Sequence, residues 1–161
     1  MPEIYTSEHL VVITSEYENT AREWRMYLTQ RWNSLVRDNS RILILAGVHG
    51  NEDGKVGAND FGLLEDNKKQ IPILKRKFTQ DVTSKNVRID LVNVASYQNP
   101  EQMDSQKLVQ AIKNYNPTIL ILSFCYSKIS ELNDILRYSG IYSVLIMRRA
   151  GMLYWMKDKE R

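Results

Sequence analysis

Two side chains in this sequence could carry covalent chemistry. An apolar run, Arg41-Ile-Leu-Ile-Leu-Ala-Gly-Val48, stops at His49-Gly50, and a second, Pro117-Thr-Ile-Leu-Ile-Leu-Ser-Phe124, stops at Cys125. Cys125 is the one cysteine of the chain. A thiol attacks as the thiolate, and imidazole is the side chain that exchanges protons near neutral pH. Cys125 as nucleophile with His49 as base is therefore the minimum equipment for nucleophilic catalysis. The dyad works only if the fold delivers both residues to one place.

Short Ile and Leu runs of this kind read as strands buried on both faces of a parallel sheet. Parallel strands end at a common carboxyl edge, where α/β sheets place ligands and chemistry. The remaining elements support such a sheet. Leu10-Val-Val-Ile-Thr14 is a first strand, and residues 19–37 carry Trp24, Tyr27, Leu28, Trp32, Leu35 and Val36 at helical spacing. The stretch 51–62, with Gly54, Gly57 and Gly62, reads as a loop or small hairpin, and a helix is expected over 73–82, after Pro72. Val87-Arg-Ile-Asp-Leu-Val-Asn-Val94 is a strand, Asp104 opens a helix to Tyr115, and Ser127 is expected to cap another that Gly140 closes. Residues 141–147 form a last strand, and Met152–Trp155 is an apolar cluster that would dock on the domain or on a partner. Strands alternating with helices predict one α/β domain over residues 1–161: a three-layer α/β/α sandwich with a mainly parallel sheet of about five strands, caspase-like or flavodoxin-like.

Composition bounds the rest. With 161 residues, 43% hydrophobic and 25% charged, the chain is long enough for a sizeable core. A net charge of +3 from 22 basic and 19 acidic residues is too mild to argue for nucleic acid. The basic run from Lys68-Lys69 to Lys75-Arg76-Lys77 reads as a solvated helix face. No stretch approaches the ~20 apolar residues of a membrane span. A lone cysteine and a polar start without a signal-peptide pattern favour a reducing compartment, so the expectation is a cytoplasmic protein or a domain of a longer intracellular one. Neither Gly47-x-x-Gly50 nor Gly54-x-x-Gly57 makes a phosphate-cradling loop.

The two strand ends resemble the caspase-like cysteine peptidases, clan CD, which include caspases, legumain, separase and the CHAT domains. His49-Gly50 with the acidic and Gly-bearing stretch to Asp60 is similar to the caspase loop, and Leu122-Ser-Phe-Cys125-Tyr-Ser127 to the Leu-Ser-Ala-Cys-x-Ser of CHAT domains. Phe124 stands where that group has a small residue. The resemblance implies a cysteine endopeptidase, active or degenerate, needing no cofactor and acting on a peptide or protein. In it Cys125 attacks a carbonyl, His49 protonates the leaving amine, and the backbone N–H groups of Gly50 and Cys125 hold the oxyanion.

Three other readings stay open. Val11-Val-Ile-Thr-Ser-Glu16 before a Trp-bearing helix has a slight likeness to the Toll/interleukin-receptor domains, which implies a non-catalytic interaction module in signalling; on any of these readings a homo-oligomer stays open as a partner state. Gly47-Val-His49-Gly-Asn-Glu52 resembles the Gly-x-His-Gly-Asn-Glu of zinc carboxypeptidases and the aspartoacylase group, which implies zinc on His49 and Glu52. The third ligand there is a later histidine, and the only other one here, His9, comes earlier. Finally, His49 and Cys125 could both be structural, a loop-bonding imidazole and a small core thiol.

Overall fold

In the computed structural model, which describes residues 11–15, 37–81, 86–99, 102–126, 130–139, 145–147 and 153–155, the two apolar runs are neighbouring strands. The elements are β1 (Val11–Ser15), β2 (Ser40–Ala46), β3 (Val48–Gly50), β4 (Val56–Asn59), α1 (Phe61–Asp81), β5 (Val87–Asn93), α2 (Ser105–Tyr115), β6 (Ile119–Leu122), α3 (Glu131–Tyr138), β7 (Leu145–Met147) and β8 (Leu153–Trp155). Six strands form one sheet in the order β5-β2-β6-β1-β7-β8, and β3 with β4 makes a separate two-stranded hairpin. All pairings of the large sheet are parallel except that of β8 with β7. The architecture is the α/β sandwich with a mainly parallel sheet that the alternating elements imply.

The helix expected over 19–37, up to residue 36, and the caps at Ser127 and Gly140 lie outside the described residues.

Alternation of Ile and Leu divides the central strands into two faces. Register pairs Ile42 with Ile119, Leu43 with Leu120, Ile44 with Ile121 and Leu45 with Leu122, so leucines share one face and isoleucines the other. All eight are buried. Leu108 and Ile112 of α2 and Leu132 and Leu136 of α3 join the leucine-face cluster, together with Val94 and Phe124. On the isoleucine face lies α1, whose buried Asn67 accepts from Ser123, the residue two beyond Ile121 on β6. Burying each of these side chains contributes about 1.5–3 kcal/mol, which is what holds β2 and β6 together.

Helix ends explain where sequence and structure part. Asp104 caps α2 by accepting from the Lys107 N–H, as its position implies, and Asn116 closes the helix in the left-handed region at φ 57°. The cap of α3 is Ser130, whose side chain accepts from the Asn133 N–H, and the helix ends at Ser139. The largest difference is α1, which begins at Phe61, twelve residues before the expected start near 73, with Pro72 inside it. Asp60 supplies its cap, the Leu63 N–H donating to Asp60 Oδ1 at 3.1 Å. Proline costs an interior helix one backbone bond, and here Pro72 lies on the exposed side while Leu64 and Asn67 are buried. Lys68, Lys69, Lys75 and Arg76 are exposed on the same helix, the solvated face their spacing predicts. At the other end of the chain, Leu153–Trp155 of the expected Met152–Trp155 cluster pairs with β7 as edge strand β8, while Met152 lies outside the described residues. Among the described residues no helix is long and apolar enough to cross a membrane.

Away from the carboxyl edge, Tyr115 ties α2 to the sheet. Its hydroxyl donates to Asp90 Oδ2 at 2.7 Å and lies 3.2 Å from the Ile42 carbonyl oxygen, while Arg88 stacks 4.8 Å over the ring and pairs with Asp90 at 2.7 Å. Burial, then the hydrogen bond and charge of Asp90, push the Tyr115 phenol well above its ordinary value of 10.0. A raised native pKa favours the protonated form, so this contribution is complete below pH 10 and is lost as pH rises further. Tyr115→Phe should cost about 1 kcal/mol at neutral pH, the net worth of such a hydrogen bond. Urea melts between pH 7 and pH 11 should show the alkaline loss of stability weaker in the variant than in the wild type.

Candidate active site

Pairing of β2 with β6 ends at Leu45–Leu122, and the Ser123 N–H still donates to the Leu45 carbonyl at 2.8 Å. From there the two chains leave the sheet side by side. After Ala46 the backbone turns at Gly47, φ 94°, into the hairpin strand that carries His49. A side chain at Gly47 would run into the Asn93 carboxamide at the end of β5, so glycine is required there. After Ser123 and Phe124 comes Cys125, half-buried, followed by Tyr126 in the left-handed region at φ 55°. A bulky residue held there is strained by about 1–3 kcal/mol, a feature that clusters at functional sites.

Gly50 is where the two strand ends touch. A Cβ on Gly50 would collide with the Cys125 carbonyl oxygen and lie 2.7 Å from its carbonyl carbon and 3.3 Å from Phe124 Cδ2. His49-Gly50 and Cys125 are thus packed against each other through their backbones, and it is the carbonyl of Cys125 that meets Gly50. Phe124 belongs to the leucine-face core, fully buried, with its ring edge beside Gly50.

His49 has a partner in Asp60, the last residue of the stretch likened to the caspase loop, to which that likeness assigned no role. Its Nε2 lies 2.8 Å from Asp60 Oδ2, with side chains 54% and 35% exposed, so the pair is open to solvent. A carboxylate only accepts, so Nε2 carries a proton and the neutral ring presents its lone pair on Nδ1. Asp60 serves two masters: Oδ1 caps α1 and Oδ2 fixes the imidazole. The Leu63 N–H is the main influence holding the Asp60 carboxyl below its ordinary range; partial burial opposes it, and the Gly62 N–H and His49 add to the lowering. The signal available in the sequence was Asp60 three residues ahead of Leu63-Leu64, a capping residue at the start of an apolar-periodic stretch, which the glycines around it obscured.

The hairpin that carries His49 is braced from outside. Its turn closes by Asn51 N–H to Lys55 O and Gly54 N–H to Asn51 O, both 2.9 Å. It leans on α3, the Glu131 N–H donating to the Gly54 carbonyl at 2.8 Å and the Val56 N–H to Glu131 Oε1 at 3.2 Å. Glu52 lies exposed in that turn, and among the described residues no group of three or more His, Cys, Asp or Glu is arranged to hold a metal, so none of them completes the expected His49–Glu52 zinc pair.

Fold and site define an α/β domain with the His49–Asp60 pair and the backbone of Cys125 at the carboxyl edge of its sheet. Residues 8–144 match the family model Tox-HDC, described as a toxin with a H, D/N and C signature, and the chain belongs to that family. No curated protein and no solved structure matches it. Membership in Tox-HDC overturns the caspase-like and CHAT resemblance, and with it the cysteine-peptidase, signalling-module and zinc-hydrolase readings built on short motifs. Those motifs are a histidine and a cysteine at neighbouring strand ends, which the geometry of any parallel sheet can produce.

Two substitutions probe this geometry. Gly50→Ala must push the Cys125 backbone aside and should cost about 1–3 kcal/mol, measured by denaturant unfolding. For Asp60, a depressed native pKa gives stability that is present at neutral pH and lost as pH falls below 3.8. Asp60→Asn keeps a good cap and should melt close to the wild type at pH 7 with a flatter acid limb, whereas Asp60→Ala should melt lower.

Proposed function

We propose that this domain is a toxin that acts enzymatically through its thiol, with Cys125 as nucleophile, His49 as its proton acceptor and donor, and Asp60 orienting the imidazole. One observation carries the reading. The His49–Asp60 pair, 2.8 Å apart, sits on a hairpin whose Gly50 abuts Cys125, in a family named for a His, an Asp or Asn, and a Cys. Cys125 is the only residue that can supply the cysteine of that signature. Asp60 follows His49 and precedes Cys125, in the order of the name.

The chemistry is covalent catalysis at an electrophilic carbon of a target molecule. His49, its Nε2–H held by Asp60, takes the Cys125 proton through the opposite ring nitrogen. The thiolate forms a bond to the target carbon, and the proton passes to the departing group as its bond breaks. The Gly50 and Cys125 N–H groups are the nearby backbone donors for charge that develops on the target. Such a thiol stays active in a reducing compartment, so the site of action is the cytoplasm of the affected cell.

Induced expression in a bacterial host tests the proposal. Wild type should arrest growth, Cys125→Ala should be harmless at equal soluble level, and His49→Ala should be weaker by about 100-fold or more, the usual worth of a general base. A Cys125→Ala protein as toxic as wild type would overturn it.

A further inference from the structure

Resting on the thiol reading above, the geometry points to Asn67 and Ser123 as positioning residues that set Cys125 against the His49–Asp60 pair. Both are fully buried, and the Ser123 hydroxyl donates to Asn67 Oδ1 at 2.6 Å. The Asn67 amide is oriented by its other end, Nδ2 donating to the Leu63 carbonyl at 2.8 Å. Leu63 in turn donates its N–H to Asp60 Oδ1 at 3.1 Å, and Asp60 Oδ2 holds His49 Nε2 at 2.8 Å. A continuous relay therefore runs from Ser123, just after β6, through Asn67 and Leu63 in the first two turns of α1 and its cap Asp60 to His49 on β3. Ser123 stands two residues before Cys125, and its own N–H is fixed to Leu45 on the strand that leads to His49.

Packing alone does not call for this pair. An apolar pair of similar shape would hold a helix on a sheet about as well, because a buried hydrogen bond replaces bonds to water and adds little net stability. What the polar pair adds is direction: it fixes how far along β6 the helix sits, and so where the imidazole stands relative to the thiol. These residues act through Asp60 and the β6 end.

Iodoacetamide alkylation of Cys125 from pH 5 to pH 9 reads this placement directly, alongside thermal melts. Ser123→Ala/Asn67→Leu should melt near the wild type yet alkylate at pH 7 about tenfold more slowly, at the His49→Ala rate, the change made by one unit in the thiol pKa. Ser123→Thr, which keeps the hydroxyl, should retain the wild-type profile, and Ser123→Ala alone should lose it even if the double variant does not fold. A folded Ser123→Ala or double variant with the full wild-type profile overturns the positioning role while leaving the thiol reading intact. A wild type whose profile equals that of His49→Ala overturns both.

Discussion

Register between β2 and β6 is the constraint on which the site depends. Ile42 to Leu45 and Ile119 to Leu122 are buried on both faces, with isoleucines against one helical layer and leucines against the other. Slipping one strand by a single residue would exchange the faces and break both layers at once, so the alignment is strongly specified. Because the strands are parallel and in register, the residues that follow them leave the sheet together. His49 lies four residues beyond the Leu45 pairing and Cys125 three beyond its partner Leu122, and the glycine next to His49 lets the two backbones touch.

That much was legible in the sequence. Apolar runs bounded by polar residues announce the strands, their ends announce the edge, and the uniqueness of Cys125 draws attention to it. Asp104 was legible as a cap because an amphipathic helix follows it without interruption. What stayed hidden depends on contacts between distant segments. Asp60 looks like one more polar residue among glycines until α1 is seen to start behind it, and Gly62 and Pro72 both argue against a helix there. Glu131, next to the cap Ser130, meets the hairpin turn in one such contact, across 75 positions of chain. The insertion of β6 between β2 and β1 is likewise invisible to any local pattern, since each crossover alone is ordinary.

Family likeness read from short motifs went astray for a related reason. His-Gly after a buried strand and a cysteine after another describe how parallel sheets present side chains, and unrelated chains arrive at that description independently. Phe124 illustrates the point. By motif it stands in place of a small residue beside the nucleophile, but in the structure it is a core residue, filling the leucine-face layer with Leu122 and Leu136. The match to Tox-HDC extends over residues 8–144 and so weighs the whole arrangement of elements rather than two of their ends.

Glu131 gives the hairpin a further property. Its backbone N–H and its carboxylate both hold the 54–56 turn, so the first turn of α3 and the strand bearing His49 share their bonds. A short two-stranded ribbon is barely stable by itself. Loosening either partner releases the other, and in hydrogen-exchange terms the two form a single opening unit, α3 acting as the latch. The imidazole is therefore anchored to two helix N-termini, through Asp60 at the start of α1 and through the hairpin turn at the start of α3.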